Sequence, residues 1–172
     1  MGMDVHGTNP TTEAGSYFRA SIWGWRPLWG YCEDVAPELT ARVEYGHSND
    51  GDGLNDNNSK ELAEVLREEI KSNRAAEYVT AREAEIAALP DRPCSCCDGT
   101  GLRSEPPNTG KGNILCNGCG GDPFGAVYDP NNPKHKPGTG KCRPWDASYH
   151  LDVDMIKEFA AFLDECGGFE IW

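Results

Sequence analysis

Four cysteines in two pairs carry the clearest chemistry in the sequence: Cys94 and Cys97 in CSCCDGTG, and Cys116 and Cys119 in CNGCGG. The spacing is C-x2-C-x18-C-x2-C, inside the range of structural zinc sites. Two residues between paired cysteines let both thiolates face one ion. Glycines follow each pair, Gly99 and Gly101 after the first and Gly120 and Gly121 after the second, where the turn demands backbone freedom. The expectation is one structural Zn2+ bound by four thiolates, a closed shell with no open position for substrate. A disulfide framework would need an oxidising compartment, and a redox motif would want one C-x-x-C at a helix start after a strand. Cys96 is a spare or alternative thiol between two ligands. Cys32, Cys142 and Cys166 read as small core residues, although Cys142 with His135 or His150 is an alternative second metal set.

Other constellations point to binding more than to catalysis. The segment SYFRASIWGWRPLWGYC gathers Tyr17, Phe18, Trp23, Trp25, Trp29 and Tyr31, residues that dominate cores and interfaces. Trp23, Trp25 and Trp29 have the alternative reading of a stacking platform for a base, with Lys134, Lys136, Lys141 and Arg143 beside His135 as a basic stretch that could meet phosphate. The acidic loop GHSNDGDGLNDNN invites a calcium reading. Counted as an EF-hand from Asp50, it fails, because Leu54 and Asn55 stand where an oxygen ligand and glycine are required. His47, Ser48 and Asp50 are adjacent in sequence, which does not build a triad. There is no phosphate loop and no convincing nucleophile with its base, so no catalytic residue is assigned.

Composition bounds the frame that must hold these groups. In 172 residues, 38% are hydrophobic and 26% charged, and glycine and proline gather after residue 90. The formal net charge of −12 opposes non-specific nucleic-acid binding, since such a surface repels phosphate. No apolar run reaches the roughly 20 residues of a membrane span, and MGMDVHGTNP lacks the marks of a leader, so a cytoplasmic location is expected.

The element pattern is mostly helical. Phe18, Ile22 and Trp25 or Trp29 fit a helical stripe interrupted by Gly24 and Pro27, predicting a short helix and a turn. Residues 33–45 permit a second helix. Ser59 can cap a third, with Leu62, Val65, Leu66 and Ile70 on one face; a fourth follows a break at Ser72 and Asn73 and stops at Pro90. Val153, Ile156, Phe159, Ala160 and Leu163 mark a last amphipathic helix ending at Gly167, and FEIW alternates like a strand. The expected fold is mainly α, α+β at most. Residues 1–89 with 145–172 would form the helical core, and residues 90–144 a zinc-bound, loop-rich insertion.

Two resemblances add to this reading. CSCCDGTG matches the C-x-x-C-x-G-x-G repeat of the DnaJ cysteine-rich domain, and CNGCGG matches its first six positions. Two repeats instead of that domain's four imply one zinc in a DnaJ-like hairpin, and without a His-Pro-Asp motif no co-chaperone activity is implied. MGMDVHGTNPTTEAGSYFRASIWGWRPLWGYC, SNDGDGL and FAAFLDECGGFEIW are together similar to small, uncharacterised bacteriophage and prophage proteins. That similarity implies an accessory role in a bacterial cytoplasm. The resulting expectation is a non-enzymatic, zinc-stabilised protein that binds a host protein. The alternative is a binder or sequestering protein for a nucleotide signal, and a zinc-dependent enzyme is a further alternative.

Overall fold

A three-stranded antiparallel sheet begins and ends the chain in the computed structural model, which describes residues 2–172. Strand β1, Gly2–Gly7, is central, flanked by β2, Tyr17–Ser21, and the last strand, β7, Phe169–Ile171. Val5 stands opposite both Phe18 and Ile171, so alternate side chains of all three strands enter one core. The next element, helix α1, Ile22–Val35, starts where Ser21 accepts the Gly24 N–H at 3.3 Å. Pro27 lies inside it without ending it. A proline there frees the Trp23 carbonyl, and that oxygen accepts the His150 N–H at 3.1 Å.

The short α2, Pro37–Thr40, follows α1. Helix α3 spans Asp56–Lys71 and is capped by Asn55, while Ser59 is buried one turn inside and donates to the Asn55 carbonyl at 2.9 Å. Asn73, with φ of 67°, separates α3 from α4, Arg74–Ala88. Helix α5, Val153–Glu165, is capped by Asp152 and packs along α3, with Arg67 paired to Asp164. Gly167 and Gly168, at φ of 63° and 95°, turn the chain from α5 into β7. Among the described residues no helix is long and apolar enough to cross a membrane.

Four further strands are only two residues long: β3, Arg92–Pro93; β4, Leu102–Arg103; β5, Ile114–Leu115; and β6, Lys141–Cys142. They pair β3 with β6 and β4 with β5. The chain divides into two units, residues up to Ala87 with Ser148–Trp172, and Ala88–Ala147.

The fold is therefore α+β, with five helices and three small sheets among the described residues, and the expectation of a mainly helical protein is overturned. The first two strands account for much of the difference. Residues 17–21 alternate exposed and buried instead of continuing the stripe into Ile22, and the predicted helix over 33–45 reduces to the end of α1, α2 and turns. The DnaJ-like hairpin insertion is corrected as well. Residues 88–147 hold two separate ladders, and β3 finds its partner in β6, far along the chain.

The first unit has an aromatic core. Trp25 and Trp29 stack at 5.7 Å, and Phe159 meets Phe18 at 5.0 Å and the Trp25 ring edge-on at 5.5 Å. The Trp25 indole N–H donates to the Gly46 carbonyl at 2.8 Å. The acidic loop is spent on structure. Asp52 accepts from the Tyr45 and Gly53 amides and bridges to Ile171, and a Cβ on Gly53 would lie 1.8 Å from the Phe169 carbonyl oxygen.

Candidate metal centre

Both cysteine pairs fold into the same turn. The Cys97 amide donates to the Cys94 carbonyl at 3.3 Å and the Gly99 amide to the same oxygen at 3.1 Å; Cys119 and Gly121 repeat this on Cys116 at 3.3 and 2.7 Å. The matching positions Asp98 and Gly120 both take positive φ, 48° and 86°, and Gly99 follows at 77°. The Gly101 amide then points at the Cys97 sulfur at 3.2 Å, favouring a thiolate there.

The four sulfurs of Cys94, Cys97, Cys116 and Cys119 lie within 4.8 Å of one another, close enough to bind a metal ion. The Sγ–Sγ distances of Cys94–Cys116 and Cys97–Cys119 are both 3.8 Å. A tetrahedron with metal–sulfur bonds of about 2.3 Å has an edge of about 3.8 Å, so the spacing fits that geometry. All four residues are under 9% exposed.

A third arm closes the cluster. Gly138-Thr139-Gly140 lies against Gly99-Thr100-Gly101: the Gly138 amide donates to the Gly101 carbonyl at 3.1 Å, and the Cys94 amide to the Gly140 carbonyl at 2.8 Å. A Cβ on Gly138 would lie 2.3 Å from the Cys119 sulfur, and one on Gly140 would lie 2.1 Å from the Gly99 carbonyl oxygen. Reading the sequence for ligands misses this arm. The recurring GTG at 99–101 and 138–140 is the signal that could have revealed it. Thr100 and Thr139 even accept the same local bond, from the amide two residues on, at 3.3 and 3.2 Å.

The thiols are electrostatically unequal. Burial pushes Cys116 up to about 12, with the neighbouring sulfurs adding to it, and Cys119 up to about 11 against the lowering effect of the Gly140 backbone and the Cys116 thiol. Burial also acts on Cys94, but hydrogen bonds led by that from Cys142 outweigh it and bring Cys94 down to about 7. Metal ligation requires thiolates, so loading at neutral pH must displace at least the Cys116 and Cys119 protons. Affinity is therefore expected to rise with pH and to fall by at least about 100-fold per unit as pH drops through neutrality. Competition against a chromogenic chelator at pH 8 and pH 7 checks the slope.

The remaining candidate residues do not converge. Trp25 and Trp29 are fully enclosed in the core, so they offer no stacking platform, and Trp23 packs on Tyr149 at 5.0 Å. Lys134 and Lys136 line a shallow recess with Asp122, Pro123 and Pro133. Lys141 lies in β6, and Arg143 donates to the Leu89 carbonyl at 2.8 Å. His135 accepts the Asp129 amide at 3.1 Å, the His150 ring meets the Ser148 carbonyl at 3.3 Å, and among the described residues the group placed to hold a metal includes neither histidine. Comparison with family models, with curated proteins and with solved structures finds no match to this chain.

Proposed function

We propose that the chain is a non-enzymatic binding protein whose residues 88–147 are held in shape by one structural zinc ion and whose target is a protein. The observation that carries this reading is the four-sulfur cluster itself. Its spacing suits a tetrahedral four-thiolate shell, which leaves no coordination position for a substrate or water. Four thiolates favour zinc among the common cellular ions, and zinc adds no redox chemistry.

Support for a protein target comes from the surfaces of each unit. In residues 88–147, Phe124 in the turn that Pro123 and Ala126 close and Val127 just after it are 68% and 59% exposed, an apolar feature that a partner can cover. The first unit carries 22 of the 28 acidic residues, a field suited to a basic protein surface. The similarity to phage and prophage proteins makes a host protein the expected target, met in the bacterial cytoplasm.

Two measurements test this. Elemental analysis of the purified chain is expected to give about one zinc per chain. A tagged chain is expected to retain one host protein stoichiometrically from a bacterial lysate, and Phe124→Asp with Val127→Asp to lose it while keeping the zinc. Retention of that protein by the double variant would exclude this turn as the contact. A thermal midpoint raised by cyclic dinucleotides, with no protein retained, would favour a nucleotide ligand instead.

A further inference from the structure

A fifth thiol lies against the four-sulfur cluster without belonging to it. Cys142 sits in β6, whose partner β3 ends at Pro93, the residue before Cys94. The thiol of Cys142 donates to the Gly118 carbonyl at 2.9 Å, inside the Cys116–Cys119 turn. It packs against the buried cysteine cluster, and the Cys94 sulfur reaches the same glycine, 3.4 Å from where a Cβ on Gly118 would stand. Cys142 thus lies against the cluster and is tied to the turn of the second cysteine pair. Cys96 is placed differently. It stands in the first turn between two ligands, with its sulfur over Gly118, 3.0 Å from where a Cβ would stand.

We infer that Cys142 is a reserve ligand of the metal centre: it can replace Cys94, so that one ion is held by Cys97, Cys116, Cys119 and either of these two thiols. This rests on the four-thiolate reading above. The exchange is one thiolate for another. Cys142 gives up its proton as it binds, Cys94 takes one as it leaves, and the charge of the centre is unchanged. Cys94 is the replaceable member because its sulfur and that of Cys142 both lie against Gly118, and because Cys142, opposite Arg92, is diagonal to Cys94, whose amide bonds the Gly140 carbonyl at 2.8 Å. Cys97 pairs with Cys119 at 3.8 Å, and its sulfur is not among those that meet Gly118. The centre can then change ligands without falling below four sulfurs, which gives it a route to rearrange or pass on its ion that a plain four-cysteine site lacks.

The test compares zinc content and iodoacetamide labelling, read cysteine by cysteine by mass spectrometry, in the full-length chain. Wild type and Cys142→Ser are expected to hold about one zinc each, with Cys142 of the wild type open to alkylation. Cys94→Ser is expected still to hold about one zinc, with Cys142 now protected and Cys96 still reactive, whereas Cys97→Ser and the Cys94→Ser/Cys142→Ser double variant lose the metal. Loss of zinc from Cys94→Ser to the level of Cys97→Ser overturns the reserve role, as does retention of zinc by the double variant. Those results leave the four-thiolate reading intact. Absence of zinc from wild type overturns that reading, and the reserve role with it.

Discussion

Cys97→Ser is expected to leave the purified chain with well under one zinc and residues 88–147 open to protease, while the first unit keeps its helical signal. The large expected effect follows from what else could hold this unit. Its buried apolar side chains are Leu115, Pro144 and the four clustered cysteines themselves, the other large apolar residues there being partly or fully exposed. Burying one leucine contributes about 1.5–3 kcal/mol, against an apparent 10–16 kcal/mol for a structural zinc ion. A bound zinc ion would outweigh that burial and so decide whether the unit is ordered. The strands cannot substitute, since β3–β6 and β4–β5 are two residues long. Serine also leaves a buried hydroxyl where the Gly101 amide meets the Cys97 sulfur. Limited proteolysis with mass mapping, beside elemental analysis, is the check. A chain with no metal whose residues 88–147 resist protease as well as wild type would show that the cluster is not what orders them.

The four-cysteine cluster is legible in the sequence because two cysteines three positions apart constrain geometry whatever surrounds them. Helices α3 and α5 are legible for a related reason: Leu62 and Leu66, or Ile156, Phe159 and Leu163, recur at the helical period on one buried face. Strand β1 is not. Its GMDVHG holds just two large apolar residues between glycines, and it becomes a strand by pairing with β2 and with β7, from the far end of the chain. Strand β2 is hidden by coincidence, since Phe18 and Ile22 are four apart and imitate a helix face across the boundary that Ser21 sets. Pro27 reads as a breaker until the His150 amide is seen to take up the freed carbonyl. The GTG arm shows the same limit within the site. Nothing about Gly138 itself says it must be glycine; the Cys119 sulfur that it approaches does. Trp25 and Trp29 were legible as large aromatic surface, but their stacking in the core depends on α1 passing through Pro27 intact.

Phe159→Ala is expected to destabilise the first unit by about 3–5 kcal/mol, a substantial share of the 5–15 kcal/mol typical of a domain. Phe159 is fully buried on α5 and touches rings from separate elements: Phe18 of β2 at 5.0 Å, Trp25 of α1 at 5.5 Å and Phe169 of β7 at 6.3 Å. Truncation removes the ring's transfer free energy and leaves a cavity between elements that other contacts already fix, so collapse around it is restricted. The thermal midpoint should fall by roughly 10–25 °C. Phe124→Ala removes the same side chain from a site 68% exposed and should change stability by no more than about 0.5 kcal/mol. Zinc content should remain at the wild-type value in both variants below their transitions, because neither residue is part of the sulfur cluster. Calorimetry on the zinc-loaded proteins separates the cases. Equal midpoints for Phe159→Ala and wild type would mean that the aromatic cluster does not tie β2, α1, α5 and β7 into one cooperative core.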